Sequence, residues 1–415
     1  MSYWEEQARL LRRFSVVEKF IKPRVCYLSS YPPRECGIAQ FTHDLVRASH
    51  RISPLTRYNV IAMTDPGSYY SYSRRVIFEI RQERAEDYVD AAKFINGRKD
   101  IKVVNLQHEF GLFGGKEGSY ILHFARQLEK PLVTTFHSIA PASIFGKKRE
   151  KIIRELGKKS SAVVTICKTG ADILTKNYGV SREKLFVIPH GTPIIKKDNP
   201  DKFKKKLGIE KDKKVILSFG FLSWRKGDEY VVRALPEILR KNKDVLYLIV
   251  GEPHPRVRKE GEEYKRKLLK LAKHLGVQKA VRFHTRFLAK KELLFYLKAA
   301  DIVTVMNLFP GQISSGVLAY ALGAGKAIVS TPTLFAKEVL KNRGLLVRCD
   351  MQTINGLEVF KPFTKSISRA INNLFERKIL KLNLEERAYR FGKRCRWRRM
   401  AKRYLRLFYW TYKKR

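Results

Sequence analysis

The chain has 415 residues, 44% of them hydrophobic and 11% aromatic, which excludes wholesale disorder and suits two domains better than one. Lys and Arg number 85 against 39 Asp and Glu, and a formal charge of +46 calls for a polyanionic partner: nucleic acid, anionic lipid or a phosphorylated substrate. The five cysteines are scattered without a C-x-x-C pair, against zinc sites and disulfide frameworks, and no apolar run approaches the roughly 18 residues of a membrane span.

The opening MSYWEEQARLLRRF lacks the apolar stretch of a secretory leader, so a cytoplasmic protein is expected. Short β-branched runs then recur with helical patterns between them: VCYLSS (25–30), NVIAMT (59–64), KVVNLQ (102–107), LVTTFH (132–137), AVVTIC (162–167) and LFVIPH (185–190). Strands alternating with helices predict a parallel sheet covered on both faces. After VCYLSS comes YPPRECGIAQFTHDL (31–45), in which Gly37 opens a helix running through Phe41 and Leu45. Two further strand ends carry His108 beside Glu109, and His137. A lone histidine is more often structural, but two at corresponding strand ends favour a site.

The stretch 190–214, with two prolines and dense charge, reads as a hinge and sets a boundary near residue 196, giving domains 1–195 and 196–384. A second strand series follows: KVILSFG (214–220), VLYLIVG (245–251), AVRFHT (280–285), DIVTVM (301–306), KAIVST (326–331) and GLLVRC (344–349). Both halves are doubly wound, and ligands of such sheets bind beyond the strand carboxyl ends, so two facing sheets would form a central cleft. In SFGFLSWRKGDEY (218–230), Arg225 and Lys226 stand between a strand end and a helix beginning near Asp228. Two cations there suit a phosphate, although a solvated surface pair fits the residues too.

In NLFPGQISSGVLAYALGAGKAIVSTP (307–332), Gly311, Ser314, Ser315 and Gly316 precede an apolar helix over 317–322. Small residues let backbone N–H groups meet an anion at a helix start, and a diphosphate would fit. Tight packing alone explains the same pattern equally well. The last 29 residues, from Arg387, hold 13 Lys or Arg and no acid. Within them Trp397, Met400, Tyr404 and Phe408 fall at helical spacing, predicting a basic amphipathic helix over 385–415.

In their order, PPRECGIAQFT, QHEFGLFGG, TTFHS, VIPHG, the Arg-Lys turn and QISSGVLAYALGAGKAIVSTP make the chain resemble the "glycosyl transferases group 1" family, from about residue 24 to 408. That family comprises retaining GT-B enzymes that use nucleotide sugars. The resemblance implies that Gly37 lies in the glycine loop facing donor and acceptor, and that His137 matches the histidine near the transferred sugar. It likewise implies Lys226, helped by Arg225, as the phosphate-binding cation, with Ser314, Ser315, Gly316 and Glu338 on the donor. His108, Glu109 and His190 are the acceptor-side or sugar-side candidates.

The chain departs from the family at three places. Phe221 stands where an arginine is usual, while Gly311 and Ala319 occupy the positions of two glutamates, the first near the sugar and the second on the ribose. Gln312 could contact the sugar as a neutral amide, as in a subgroup lacking the paired glutamates.

The resemblance thus implies a hexosyltransferase that moves a sugar from UDP- or GDP-sugar to a hydroxyl of a glycan, a lipid-linked acceptor or a small molecule. No D-x-D pattern occurs, and neither an obligatory cofactor nor a metal is expected. The terminal helix, about 385–412, is expected to cross back onto the first domain. Docking on anionic membrane at the inner face is the other reading of its cationic surface. Two further readings stay open: a GT-B phosphorylase or epimerase, and a nucleic-acid binder, for which no recognised motif appears.

Overall fold

The computed structural model describes residues 24–196 and 198–414; the leader reading above and the outermost part of the first expected domain lie outside them. The chain forms two compact units. One runs up to Gly191 and resumes at Trp397, and the other is Thr192–Arg396.

In the first unit seven strands are all parallel: β1 (Arg24–Ser29), β2 (Tyr58–Thr64), β3 (Val76–Arg81), β4 (Ile101–His108), β5 (Leu132–Phe136), β6 (Ala162–Thr165) and β7 (Leu185–Val187). Their order is β3-β2-β1-β4-β5-β6-β7, so the sequence of neighbours reverses between β1 and β4. Six of these strands lie on the apolar runs read from the sequence. The seventh, β3, was not expected: Glu79 and Arg81 are exposed on this edge strand and only Ile80 is fully buried, so no continuous run marks it.

The second unit holds six parallel strands: β8 (Lys214–Phe219), β9 (Val245–Val250), β10 (Val281–His284), β11 (Ile302–Val305), β12 (Ala327–Ser330) and β13 (Leu345–Leu346). The order β10-β9-β8-β11-β12-β13 reverses between β8 and β11. An antiparallel hairpin follows, β14 (Cys349–Ile354) and β15 (Leu357–Pro362). Its turn is Asn355-Gly356, with φ of 49° and 71°, the conformation that two-residue hairpins demand and that Asn-Gly adopts most readily. The hairpin packs Val359 and Phe360 on Leu308, and the Phe360 N–H donates to the Leu308 carbonyl at 2.8 Å.

The terminal helix expected over 385–412 is in fact two helices. Lys378–Arg394 belongs to the second unit, where it lies against the helix Gly316–Ala324. A Cβ added at Gly392 would sit 2.6 Å from Gly323 Cα and 2.7 Å from the Leu322 carbonyl oxygen, so this crossing needs glycine. Thr192 closes the same corner, donating from Oγ1 to the Gly392 carbonyl at 2.8 Å and from N–H to the Cys395 carbonyl at 2.9 Å.

After the break at Cys395 the helix Trp397–Lys413 joins the first unit, against the helix Gly37–Ile52. Trp397, Met400, Tyr404 and Phe408 are all buried there, and Tyr404 reaches Thr135 of β5 at 3.3 Å. The apolar face is therefore core, and docking on a membrane through it is ruled out while the helix stays packed. No helix among the described residues is long and apolar enough to cross a membrane.

Gly392→Val forces the helix Lys378–Arg394 off its neighbour. The expected loss is roughly 1–3 kcal/mol of second-unit stability, the usual cost of overpacking, read as a lower urea midpoint at unchanged slope.

Candidate functional site

A doubly wound sheet binds ligands beyond its strand carboxyl ends, where neighbouring connections leave in opposite directions. In the second unit that place lies between β8 and β11. The β8 loop carries Lys226 in a single turn, Trp224–Lys226, and the β11 loop leads to the helix Gly316–Ala324. Gly220 ends β8 with φ of 114°, a backbone that disfavours any side chain. A Cβ placed there would lie 3.3 Å from Lys226 Nζ and 3.5 Å from Val317 Cγ2. The lysine amine and the first turn of the helix therefore meet at one strand end.

That helix start is ready for an anion. Ser315 caps it, its hydroxyl accepting the Leu318 N–H at 3.2 Å, and no acidic residue stands in the first turn. The amides ahead of Leu318 stay directed outward with the positive end of the helix dipole. Burial lowers the pKa of Lys226, partly offset by Asp228. Asp228 is itself buried and accepts from Ser218 Oγ at 2.6 Å and Tyr247 OH at 2.8 Å. A half-buried ammonium with that one carboxylate nearby among the described residues favours an incoming phosphate.

The β11 loop is held from several sides. The Leu308 N–H donates to the Arg225 carbonyl at 2.9 Å, the Leu334 N–H to that of Pro310 at 3.0 Å, and the Phe335 N–H to that of Gln312 at 2.9 Å. Gln312 and Ser314 are half-buried, whereas Gly311 and Ser315 are buried and Gly316 is exposed. Arg225 is exposed, with its guanidinium over the Trp224 ring at 5.5 Å. Glu338 is half-buried on the helix Leu334–Leu340, whose start is tied to the Gln312 backbone. Sequence reasoning missed the aromatic cluster beside this loop, where Phe221 meets His254 at 4.7 Å and Phe287 at 6.2 Å between ring centres. Phe221 itself was the only signal.

In the first unit the corresponding place lies at the ends of β1, β4 and β5. Gly37 is exposed at the start of its helix, with no acid in the first turn and no side-chain cap. His137 is buried, its Nε2 2.8 Å from Gln107 Oε1, while Gln107 Nε2 donates to Asn105 Oδ1. With the amide oriented so, Nε2–H donates and Nδ1 keeps its lone pair. Burial above all, with the neighbouring His190 and His108, holds the His137 imidazole down at about 3. Phe41 packs edge-on against both His137 and His190, and His190 also meets Trp397.

Glu109 accepts from Ser138 Oγ at 2.5 Å and from the Phe110 N–H at 3.1 Å, and burial raises its pKa. His108 lies apart from these polar contacts. It is fully buried among Phe110, Phe113 and Phe136, neither ring nitrogen has a hydrogen-bond partner, and burial lowers its pKa to about 3. Among the described residues, no cluster of three His, Cys, Asp or Glu is placed to hold a metal.

Two parallel α/β units, each with polar groups gathered where its strand order reverses, define a protein of the GT-B class. Residues 37–194 match the model of Glycosyltransferase Family 4 and residues 199–391 that of Glycosyl transferases group 1. The chain belongs to these families of glycosyltransferase enzymes. Alpha-monoglucosyldiacylglycerol synthase of Streptococcus pneumoniae is 30% identical over 217 residues, 48% of this chain and 45% of that protein. The chain spans about half the length of the curated relatives it matches.

Among solved structures, sucrose-phosphate synthase from Thermosynechococcus elongatus superposes with a TM-score of 0.70 at 16% identity, covering 91% of this chain and 96% of that one. HepE of Anabaena, solved with UDP and glucose, gives 0.68 at 17% identity, covering 91% and 97%. At such identities the likeness speaks for the fold.

The two neutral imidazoles tie stability to pH. Unfolding returns His108 and His137 to the ordinary value of 6.5, so between pH 6.5 and about 3 the unfolded chain binds more protons. Stability therefore falls on acidification through that window, by at most about 1.4 kcal/mol per pH unit for each group. His108→Phe, which keeps the ring packing, is expected to remove one such increment from the slope between pH 6 and 4 in urea unfolding. An unchanged slope would show that His108 already binds its proton in the folded state.

Proposed function

We propose that this protein transfers a sugar from a nucleoside-diphosphate sugar to an acceptor hydroxyl. The observation that carries the reading is the meeting of Lys226 Nζ with the first turn of Gly316–Ala324 at Gly220. A diphosphate there would be stabilised by the ammonium and by the amides at 314–316, preorganised groups whose effect grows as charge develops on the leaving oxygen. The sugar C1–O bond to the diphosphate breaks with its electron pair going to the β-phosphate. The acceptor oxygen bonds to C1, and its proton passes to the departing diphosphate.

A uridine nucleotide is the first donor to test, because HepE was solved with UDP-glucose. Gly311 and Ala319 offer no side-chain hydrogen bond to sugar or ribose, so Gln312 and Glu338 are assigned the polar donor contacts. On the first unit the Gly37 helix start, Glu109, His137 and His190 are assigned to the sugar and acceptor. His137 acts there as a neutral hydrogen-bonding group, not as a charged acid, and His108 is left to the core. The name of the Streptococcus pneumoniae relative supports a lipid-linked hydroxyl as acceptor. Transfer with retention follows the family resemblance.

Lys226→Ala should lower turnover about a hundredfold or more, by analogy with loss of one preorganised donor. The assay follows UDP release from UDP-glucose with a diacylglycerol-type acceptor, and an unchanged rate would remove Lys226 from the chemistry. No UDP release, with sugar 1-phosphate formed from a glycan and added inorganic phosphate instead, would favour a phosphorylase. A UDP-sugar at about a hundred times its dissociation constant should add about 2.7 kcal/mol of stability to the wild type and much less to the variant.

A further inference from the structure

Away from the strand ends, the second unit gathers four guanidinium groups around one cavity of about 230 Å³, lined by Asn342, Arg343, Arg387, Arg390, Phe391 and Arg394. Three of the arginines come from the helix Lys378–Arg394 at spacings that place them on one face. The opposite face, with Ala388 and Gly392, is the one packed on Gly316–Ala324. Arg343 enters from the turn after the helix Leu334–Leu340. Its Nη1 donates to the Val339 carbonyl at 2.9 Å, and its guanidinium stacks 4.7 Å from the centre of the Phe391 ring.

Such a set is electrostatically incomplete. Among the described residues no carboxylate lines the cavity, and the ion pair of Glu386 with Arg390 at 2.8 Å engages one arginine of the four. Burial, then the like charge of Arg394, lowers the pKa of Arg343, so these cations repel one another. A bound anion of two or more charges would relieve that repulsion.

We propose that this cavity is a binding site for a compact phosphate group, a phosphomonoester or a diphosphate, separate from the donor loop at Lys226. Guanidinium forks, exposed on Arg387, Arg390 and Arg394 and half-buried on Arg343, match tetrahedral phosphate oxygens in paired hydrogen bonds. A nucleic-acid backbone would call for a long stripe of cations, whereas here four of them border one small space. The site is distinct from the donor loop. The helix Gly316–Ala324 begins at that loop, and beyond its far end a Cβ at Gly325 would meet Tyr389 at 2.8 Å. A helix of nine residues is roughly 13 Å long.

The test uses inorganic pyrophosphate and calorimetry at about 150 mM salt, in the full chain carrying Lys226→Ala to weaken the donor loop. One equivalent should bind, and adding Arg387→Ala with Arg394→Ala should weaken it at least about tenfold, while Lys at both positions should fall in between. Absence of binding in the Lys226→Ala protein, or binding unmoved by the arginine changes, overturns the proposal whether or not Lys226 matters for turnover. Should the multiple variants fail to fold, pyrophosphate must still shield Arg387, Arg390 and Arg394 of the unaltered chain from phenylglyoxal, read by mass spectrometry. Equal labelling with and without it is equally fatal. Vesicles of phosphatidic acid in phosphatidylcholine identify the source: retention that needs the same arginines assigns the phosphate to a lipid headgroup, and pyrophosphate binding without retention assigns it to a soluble compound.

Discussion

At Gly220 the chain leaves the end of β8 with φ of 114°, a backbone that favours glycine, and passes close to Lys226 and Val317. Much of the second unit serves that approach. Lys226 sits in a single turn whose Arg225 carbonyl holds the next loop through Leu308, and Leu308 is in turn packed by the hairpin β14–β15. Asp228, anchored by Ser218 and Tyr247, sets the charge behind the lysine. Burying an ammonium with a fixed carboxylate is tolerable, and the remaining attraction is directed outward. Rigid backbone donors beside it need no reorganisation when an anion arrives, which is the physical basis for reading this strand end as a diphosphate cradle.

The first unit solves a different problem. Asn105, Gln107 and His137 run from the sheet interior to its carboxyl edge, each amide satisfying the next, so the imidazole at the edge has a fixed tautomer and no charge. A neutral ring of fixed orientation can accept or donate a hydrogen bond without adding a cation beside a developing positive centre. His108, its ring enclosed by Phe110, Phe113 and Phe136, has the same lowered proton affinity with no side-chain polar contact to use it. Similar pKa values therefore arise in two environments of different kind, and only the hydrogen bonds tell them apart.

Twelve of the thirteen parallel strands lay on apolar runs that the sequence displays openly, because strands buried on both faces need continuous hydrophobic character. β3 escaped since an edge strand exposes Glu79 and Arg81. The hairpin went unread although Asn355-Gly356 is a strong local turn signal, its flanks alternating too weakly to draw attention. At the candidate site, glycines and small residues beside strand ends pointed to Lys226, Ser315 and Gly316. Whether Arg225 would join them depended on a rotamer and a turn that residue spacing does not encode, and it stacks on Trp224. The break at Cys395 was hidden by uninterrupted basic character on both sides of it.

That basic character also explains why the charge alone says little about function. A chain with a net charge of +46 must leave most of its cations to solvent, so an exposed lysine or arginine carries almost no information by itself. What distinguishes a functional cation is loss of water without gain of a full counter-charge. Lys226 meets that condition at one strand end, where burial lowers its pKa against the nearby carboxylate of Asp228. Arg343 meets it in its cavity, where a second arginine, not an acid, is the next influence after burial. The two places differ in kind as well as in location. The first adds backbone amides and the end of a helix dipole, which suit a charge that grows during a reaction. The second adds only guanidinium forks and an aromatic face, which suit an anion that stays as it is.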